Sequence, residues 1–323
     1  MQDIGLDIIL IGILLKTTLQ MATPLVLTAL GGMFSEKSGV VNIGLEGMML
    51  MGAFTAVWAT WLTENPWIGV LAAALSGGLL AMVHGIVCVK FKGNHIVSGT
   101  GIIFFGTGFT TLMINATWGV AGDSPSISPH ELPSVNLPFL ADVPILSAFS
   151  QMSPIIYMMF IIAILSWYVM YKTPFGLRLR ASGEDPSTLD TAGVNVEWIR
   201  FLGVFISGCL AGLGGAYLSI GFNTLFRKGM TSGRGFIALA ALIFGNWTPI
   251  GTFLAGMLFG FLNGLPNVIQ VAIQIWPGLE SLQIYVDWIA TIPYFLVVVA
   301  LAGIRKSIPP KGIAKPYEKE RKQ

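Results

Sequence analysis

Apolar residues gather into long runs bounded by Gly, Pro and charge, near positions 7–33, 43–63, 66–89, 95–117, 153–171, 199–221, 235–246, 248–264 and 284–304. About 20 apolar residues cross a bilayer as a helix, so most of these runs predict membrane spans. A membrane barrel would instead show short alternating segments. The pattern therefore predicts an all-α polytopic membrane protein with about nine or ten transmembrane helices. The first run carries Lys16 and can be two pieces. The run 235–246 is too short to cross alone, and 266–279 reads as a half-span or amphipathic piece.

Composition agrees. Of 323 residues, 54% are hydrophobic and 11% charged, against roughly 25% charged in soluble domains. Mean hydropathy is +0.75. This excludes a soluble globular enzyme and equally a disordered chain. Cys88 and Cys209 fall inside apolar runs and read as buried small residues. The start lacks a basic region and a small-residue cleavage site, so the first run is expected to be retained.

Charge placement orients the spans. With nine alternating spans and a cytoplasmic tail, Lys37, Lys90, Lys92, Lys172, Arg178, Arg180, Arg200, Arg305, Lys306, Lys311, Lys315, Lys319, Arg321 and Lys322 lie inside. Arg227, Lys228 and Arg234 lie outside, which leaves a strong positive-inside bias. The outer loops around Glu64, 118–152 and 265–283 contain Glu64, Asp123, Glu131, Asp142 and Glu280 but no Lys or Arg. Trp61, Trp67 and Trp118 near outer ends read as interfacial anchors.

A weak internal repeat is also present. NIGLEGMMLMGAF (42–54), followed by NPWIGVLAAALSGG from Asn65, resembles TSGRGFIALAALIFG (231–245), followed by NWTPIGTFLAGMLFG from Asn246. The second copy begins five spans after the first, so the two are expected to be inverted, as in transporter folds whose path lies between the halves. Small-residue spans also resemble one another simply because Gly, Ala and Ser allow close helix packing, and that reading stays open.

The cytoplasmic loop 172–199 carries helix punctuation. Asp185 can cap a two-turn helix near 186–192 that begins at Pro186, with Gly193 as its left-handed stop. So short a helix must be held by packing, either within the chain or against a partner.

GLRLRASGEDPSTLDTAGVNVEWIRFLGVFISGCLAGLGGAYLS resembles the coupling region of permease subunits of bacterial ABC importers, in the branch for nucleosides and simple sugars. GGMFSEKSGVVNIGLEGMMLMGAF (31–54), GRGFIALAALIFGNWTPIG (233–251) and, more loosely, NHIVSGTGI (94–102) resemble the same family, and most closely its nucleoside-type permeases. The resemblance implies one transmembrane permease domain over 1–323 with a type II importer architecture, a basic cytoplasmic tail at 305–323, and placement in the bacterial cytoplasmic (inner) membrane. It implies a separate cytoplasmic ATPase, a second and longer permease, an extracellular or periplasmic substrate-binding protein, and a nucleoside as cargo. A simple-sugar permease of the ribose or galactose type is the alternative within the family, and an ion-driven secondary transporter the alternative outside it. Gly183, Glu184, Asp185, Pro186, Ala192 and Gly193 stand where the family's short helix meets the ATPase, with Asp185 replacing the commoner Asn.

The residues themselves suggest no enzyme. There is no G-x-x-x-x-G-K-[ST] loop, and His84, His95 and His130 lack acidic or cysteine partners at metal spacing. No cofactor, metal or nucleic acid is implied. Glu46 is the sharper feature, because a carboxylate at membrane depth costs a few kcal/mol unless it faces protein or water. It can shape the pathway together with its repeat counterpart Arg234, or it can anchor the start of the second span. His84 reads as a packed, hydrogen-bonded core residue. A nucleoside path needs hydrogen bonds and aromatic surface, for which Asn42, Asn94, Thr100, Phe104, Phe105, Asn246 and Trp247 are the candidates.

Overall fold

The computed structural model describes residues 2–138, 149–276, 278–302 and 308–317. The expected charges Asp142, Arg305, Lys306, Lys319, Arg321 and Lys322 lie outside the described residues. Eleven helices organise the rest: α1 (Gln2–Lys37), α2 (Leu45–Thr63), α3 (Pro66–Gly85), α4 (His95–Trp118), α5 (Pro154–Lys172), α6 (Pro174–Glu184), α7 (Pro186–Thr191), α8 (Val196–Ala216), α9 (Arg234–Phe244), α10 (Pro249–Ile275) and α11 (Gln283–Leu301). α3 and α8 end in π-helical turns at Ile86–Lys90 and Tyr217–Phe222. Among the described residues seven helices are long and apolar enough to cross a membrane, and two further apolar helices are shorter. The chain is an all-α polytopic membrane protein.

Several boundaries differ from expectation. The first apolar run is one helix of 36 residues that continues through Pro24. Buried side chains on both flanks hold it together where the ring removes a backbone donor. The piece at 266–279 is not separate, because α10 runs unbroken through Pro266 for 27 residues. The cytoplasmic loop holds two helices rather than one. α6 was hidden by its low hydrophobicity, and it begins at Pro174 with the Thr173 hydroxyl accepting the Gly176 N–H at 3.2 Å.

α1 and α8 form the centre and pack antiparallel, with Gly31 against Ser207 and Gly214 against Thr28. α3 flanks α8 and α10 flanks α1. An added Cβ at Gly77 would lie 2.3 Å from the Gly208 carbonyl, and one at Gly260 would lie 2.3 Å from Ala22. These contacts use absent side chains to bring backbones together, the main source of helix association where lipid removes any hydrophobic drive.

The ends of the molecule follow from these contacts. Lys37, Arg200 and the 174–195 region share one end, the one that the Lys/Arg bias assigns to the cytoplasm, with Ser182 Oγ donating to Ser38 O at 3.0 Å. Glu64 lies at the opposite end, as do Asp123 and Arg227, which pair at 3.1 Å. α2 climbs away from the cytoplasmic end. α9 descends toward it, starting beside Glu46 and leading into the turn with Trp247, whose ring N–H donates to Glu36 at the foot of α1. The two repeat segments thus run in opposite senses and their starts meet. At 11 residues, α9 covers about 16 Å, half of a roughly 30 Å hydrocarbon core. Arg234, expected in an outer loop, is the first residue of this short helix and half-buried. Trp118 packs edge-on against Phe54 and Trp61 at 5.9 and 5.8 Å, so only part of it is free for an interfacial role.

Candidate transport site and coupling face

Two segments enter the membrane without forming a full span: 38–44 from the cytoplasmic end, and 223–233 from the outer end. Irregular backbone at this depth survives only where protein satisfies its polar groups. For the inner segment, His84 Nε2 lies 2.9 Å from Val41 O, His95 Nδ1 accepts the Val41 N–H at 3.1 Å, and Ser35 Oγ donates to Val40 O at 2.7 Å. His84 Nδ1 also meets Ser98 Oγ at 2.9 Å, so His84 is the packed core residue its sequence context suggested. Asn42 closes this knot by donating to Ser207 Oγ at 2.9 Å and is fully buried.

Glu46 stands where the two segments meet. Its carboxylate accepts the N–H of Gly233 at 2.8 Å and of Gly235 at 2.6 Å, the first free donors of α9. A helix start carries partial positive charge and unsatisfied N–H groups, so the carboxylate caps α9 from another helix. Gly235 permits the approach, since a Cβ there would lie 2.5 Å from the Glu46 nitrogen. Gly233 turns the chain into α9 at φ +80°. Arg234 donates to Met230 O at 3.1 Å and Thr231 O at 3.2 Å.

Above this junction lies a polar cavity of about 520 Å³, lined by Phe222, Asn223, Thr224, Leu225, Arg227, Met230, Ser232 and Arg234. Its lining reaches from Arg227, which pairs with Asp123, to Arg234 at the start of α9. Of its lining only Arg234 was a sequence candidate. The signal for the others except Phe222 was the polar stretch NTLFRKGMTSGR (223–234), which interrupts two apolar runs and reads as a loop until the fold buries part of it.

The remaining candidates separate into two places. On α4, Asn94 is the N-cap and accepts the N–H of Ile96 and Val97 at 2.8 and 3.2 Å. Thr100 donates to Ile96 O at 2.8 Å on the same outward face as Phe104, 72% exposed, and Phe105, 51% exposed. That face also carries Gly101, Thr107 and Gly108, with nothing near the two glycines. Asn246 and Trp247 form the cytoplasmic turn after α9, both with positive φ, at +56° and +52°. There Trp247 is buried.

At the candidate coupling face, Asp185 is the N-cap of α7. Its carboxylate accepts from the backbone and hydroxyl of Ser187 at 3.2 and 2.6 Å, and from the backbone of Thr188 at 3.3 Å and its hydroxyl. The Ser187 hydroxyl foremost, then the Thr188 hydroxyl and backbone, hold its pKa down at about 2. Pro186 takes the first helical position and Gly193, at φ +79°, stops the helix. Glu184, Asp185, Ala192 and Gly193 are exposed and Pro186 half-buried. Gly183 is buried, and a Cβ there would lie 2.3 Å from Lys37 O, so this position is a close contact between α6 and α1.

Residues 14–301 match the family model described as branched-chain amino acid transport system / permease component. The chain belongs to this permease family. It is 38% identical over 324 residues to the guanosine ABC transporter permease protein NupQ of Bacillus subtilis (strain 168), covering 97% of this chain and 99% of that one. To the nucleoside ABC transporter permease protein NupC of Lactococcus lactis it is 36% identical over 319 residues, covering 96% and 98%. It also matches the putative glucose ABC transporter permease protein TsgC13 of Haloferax volcanii, at 38% over 257 residues, covering 78% and 76%. No solved structure matches the chain. Family and helices together make this permease a multi-pass protein of the cytoplasmic membrane.

Proposed function

We propose that this permease moves nucleosides inward as one membrane subunit of an ATP-driven importer. The observation that carries the reading is the capping of α9 by Glu46 beneath the polar outer cavity. Half-helix starts at mid-depth suit anionic groups of a cargo. Here the chain's own carboxylate occupies that start, which suits an uncharged polar cargo. Nucleosides fit this chemistry, and near-full-length similarity to nucleoside permeases supports the choice.

On this reading Phe222, Asn223, Ser232 and Arg234 offer aromatic surface and hydrogen bonds along the entry, and Glu46 holds the start of α9 beside Arg234. The outward α4 face, with Thr100, Phe104 and Phe105, meets the second permease, since hydroxyls and bare glycines suit a protein neighbour better than lipid. A substrate-binding protein delivers cargo at the Glu64 and Asp123 end. The ATPase presses on Glu184 to Gly193 at the other end. Nucleotide-driven closure then rocks the two permeases about the mid-depth junction.

Reconstitution of the complete transporter in vesicles tests this. Labelled guanosine should enter only with ATP, and other nucleosides should compete while glucose does not. Glucose uptake in its place would favour the sugar reading, for which the match to TsgC13 speaks. Uptake that survives ATP depletion and collapses with the ion gradient would overturn ATP-driven import.

A further inference from the structure

We infer that residues 308–317 form a cytoplasmic strap that carries displacement of the coupling helices to α9, with Asn246 as its positioning residue. The inference rests on the function proposed above. Four backbone N–H groups of the strap donate to three separate parts of the cytoplasmic face: the turn after α9, the end of α6 and the segment after α1. Ile308 donates to Asn246 Oδ1 at 2.8 Å, Lys311 to Glu184 Oε2 at 3.3 Å, Gly312 to Gly183 O at 2.7 Å and Ala314 to Gly39 O at 3.0 Å. A fifth tie comes from the buried Arg200, whose Nη1 donates to Lys315 O at 3.2 Å while Nη2 donates to Ser182 O at 3.3 Å. Tyr317 then lines a groove with Asp190, Gly193 and Asn195, on the far side of α7.

The strap therefore flanks α7 along its length and ends on the turn that closes α9. From Asn246 the path upward is short. α9 is a single 11-residue helix, and its upper end is held by Glu46. Asn246 suits this position on two counts. Its amide oxygen accepts the Ile308 N–H, and Asn is among the few residues that adopt φ +56° at low cost. A push on α7 reaches α6 through Asp185, reaches the strap through Gly183 and Glu184, and so bears on the lower end of α9.

The test cuts one bond from each side in the complete reconstituted transporter. Asn246→Gly removes the acceptor and keeps the left-handed backbone, and Ile308→Pro removes the donor. The readout is nucleoside transported per ATP hydrolysed, normalised to assembled complex. We expect each variant to lower this ratio about threefold, the factor given by one hydrogen bond of ordinary strength. The double variant should fall no further, as for two halves of one contact. Asn246→Asp, which keeps the acceptor, should retain the ratio. Unchanged ratios in both single variants beside an active wild type would overturn the strap, as would reduced assembly with an unchanged ratio, the mark of a purely structural tie. A wild-type complex without ATP-driven nucleoside uptake would overturn the proposed function, and the strap's role with it.

Discussion

The carboxylate of Glu46, at the start of α2, accepts the backbone N–H of Gly235, at the start of α9, across 2.6 Å. A full-length helix and a short one of opposite sense thereby meet head to head. The contact satisfies donors that lipid would leave orphaned, and it offsets the cost of holding a carboxylate there.

Glu46→Ala should be destabilising by about 2 kcal/mol, because buried N–H groups lose their acceptor. Glu46→Gln keeps one acceptor oxygen and should preserve protein level while lowering uptake. Quantifying membrane-inserted protein beside uptake separates the two. Uptake and level both unchanged in Glu46→Gln would remove Glu46 from the pathway.

Gly235→Ala should act like loss of Glu46 through geometry alone, since the new Cβ would meet the Glu46 backbone at 2.5 Å. Thermal unfolding in detergent should show a lower midpoint. Suppression by a compensating small residue is not expected, because the clash is with backbone.

Asp185→Ala should reduce ATP-dependent uptake with membrane insertion intact, whereas Asp185→Asn should retain the cap and most of the uptake. The cap has a defined pH range. The folded carboxyl sits near 2 against an ordinary 3.8, so its stabilisation is fully present above the ordinary value and is lost as pH falls toward 2. Hydrogen exchange of the Ser187 and Thr188 amides should therefore show the same protection factors at pH 7 and pH 5. A loss of protection over that interval would contradict the assignment.

Gly183→Ala tests packing more than docking. With Lys37 O 2.3 Å from the added Cβ, this variant should lower the amount of folded permease, while Glu184→Ala, at an exposed site, should not. Equal behaviour of the two would place Gly183 on the docking surface after all.

Thr107→Cys on α4 should react with a small membrane-permeant thiol reagent in the isolated permease and be protected once the second permease is bound. The native Cys88 is buried and Cys209 half-buried, which keeps the background low. Equal labelling with and without the second subunit would assign this face to lipid.

Long apolar runs and sparse charge determined on their own that this chain is a helical membrane protein, because a bilayer imposes length and hydrophobicity on each crossing. Local stereochemistry likewise fixed α7, since Asp185, Pro186 and Gly193 act through their own backbone neighbours. The repeat was legible as matching small residues. What it builds was not, because the meeting of Glu46 with Gly233 and Gly235 spans nearly 190 positions of chain. The same holds for Asn246, whose amide oxygen accepts the N–H of the distant Ile308, and for the cavity lined by Phe222, Asn223 and Ser232. Sequence carries each residue's chemistry and its local geometry. Only tertiary structure decides which backbone group, far away along the chain, is brought close enough to use it.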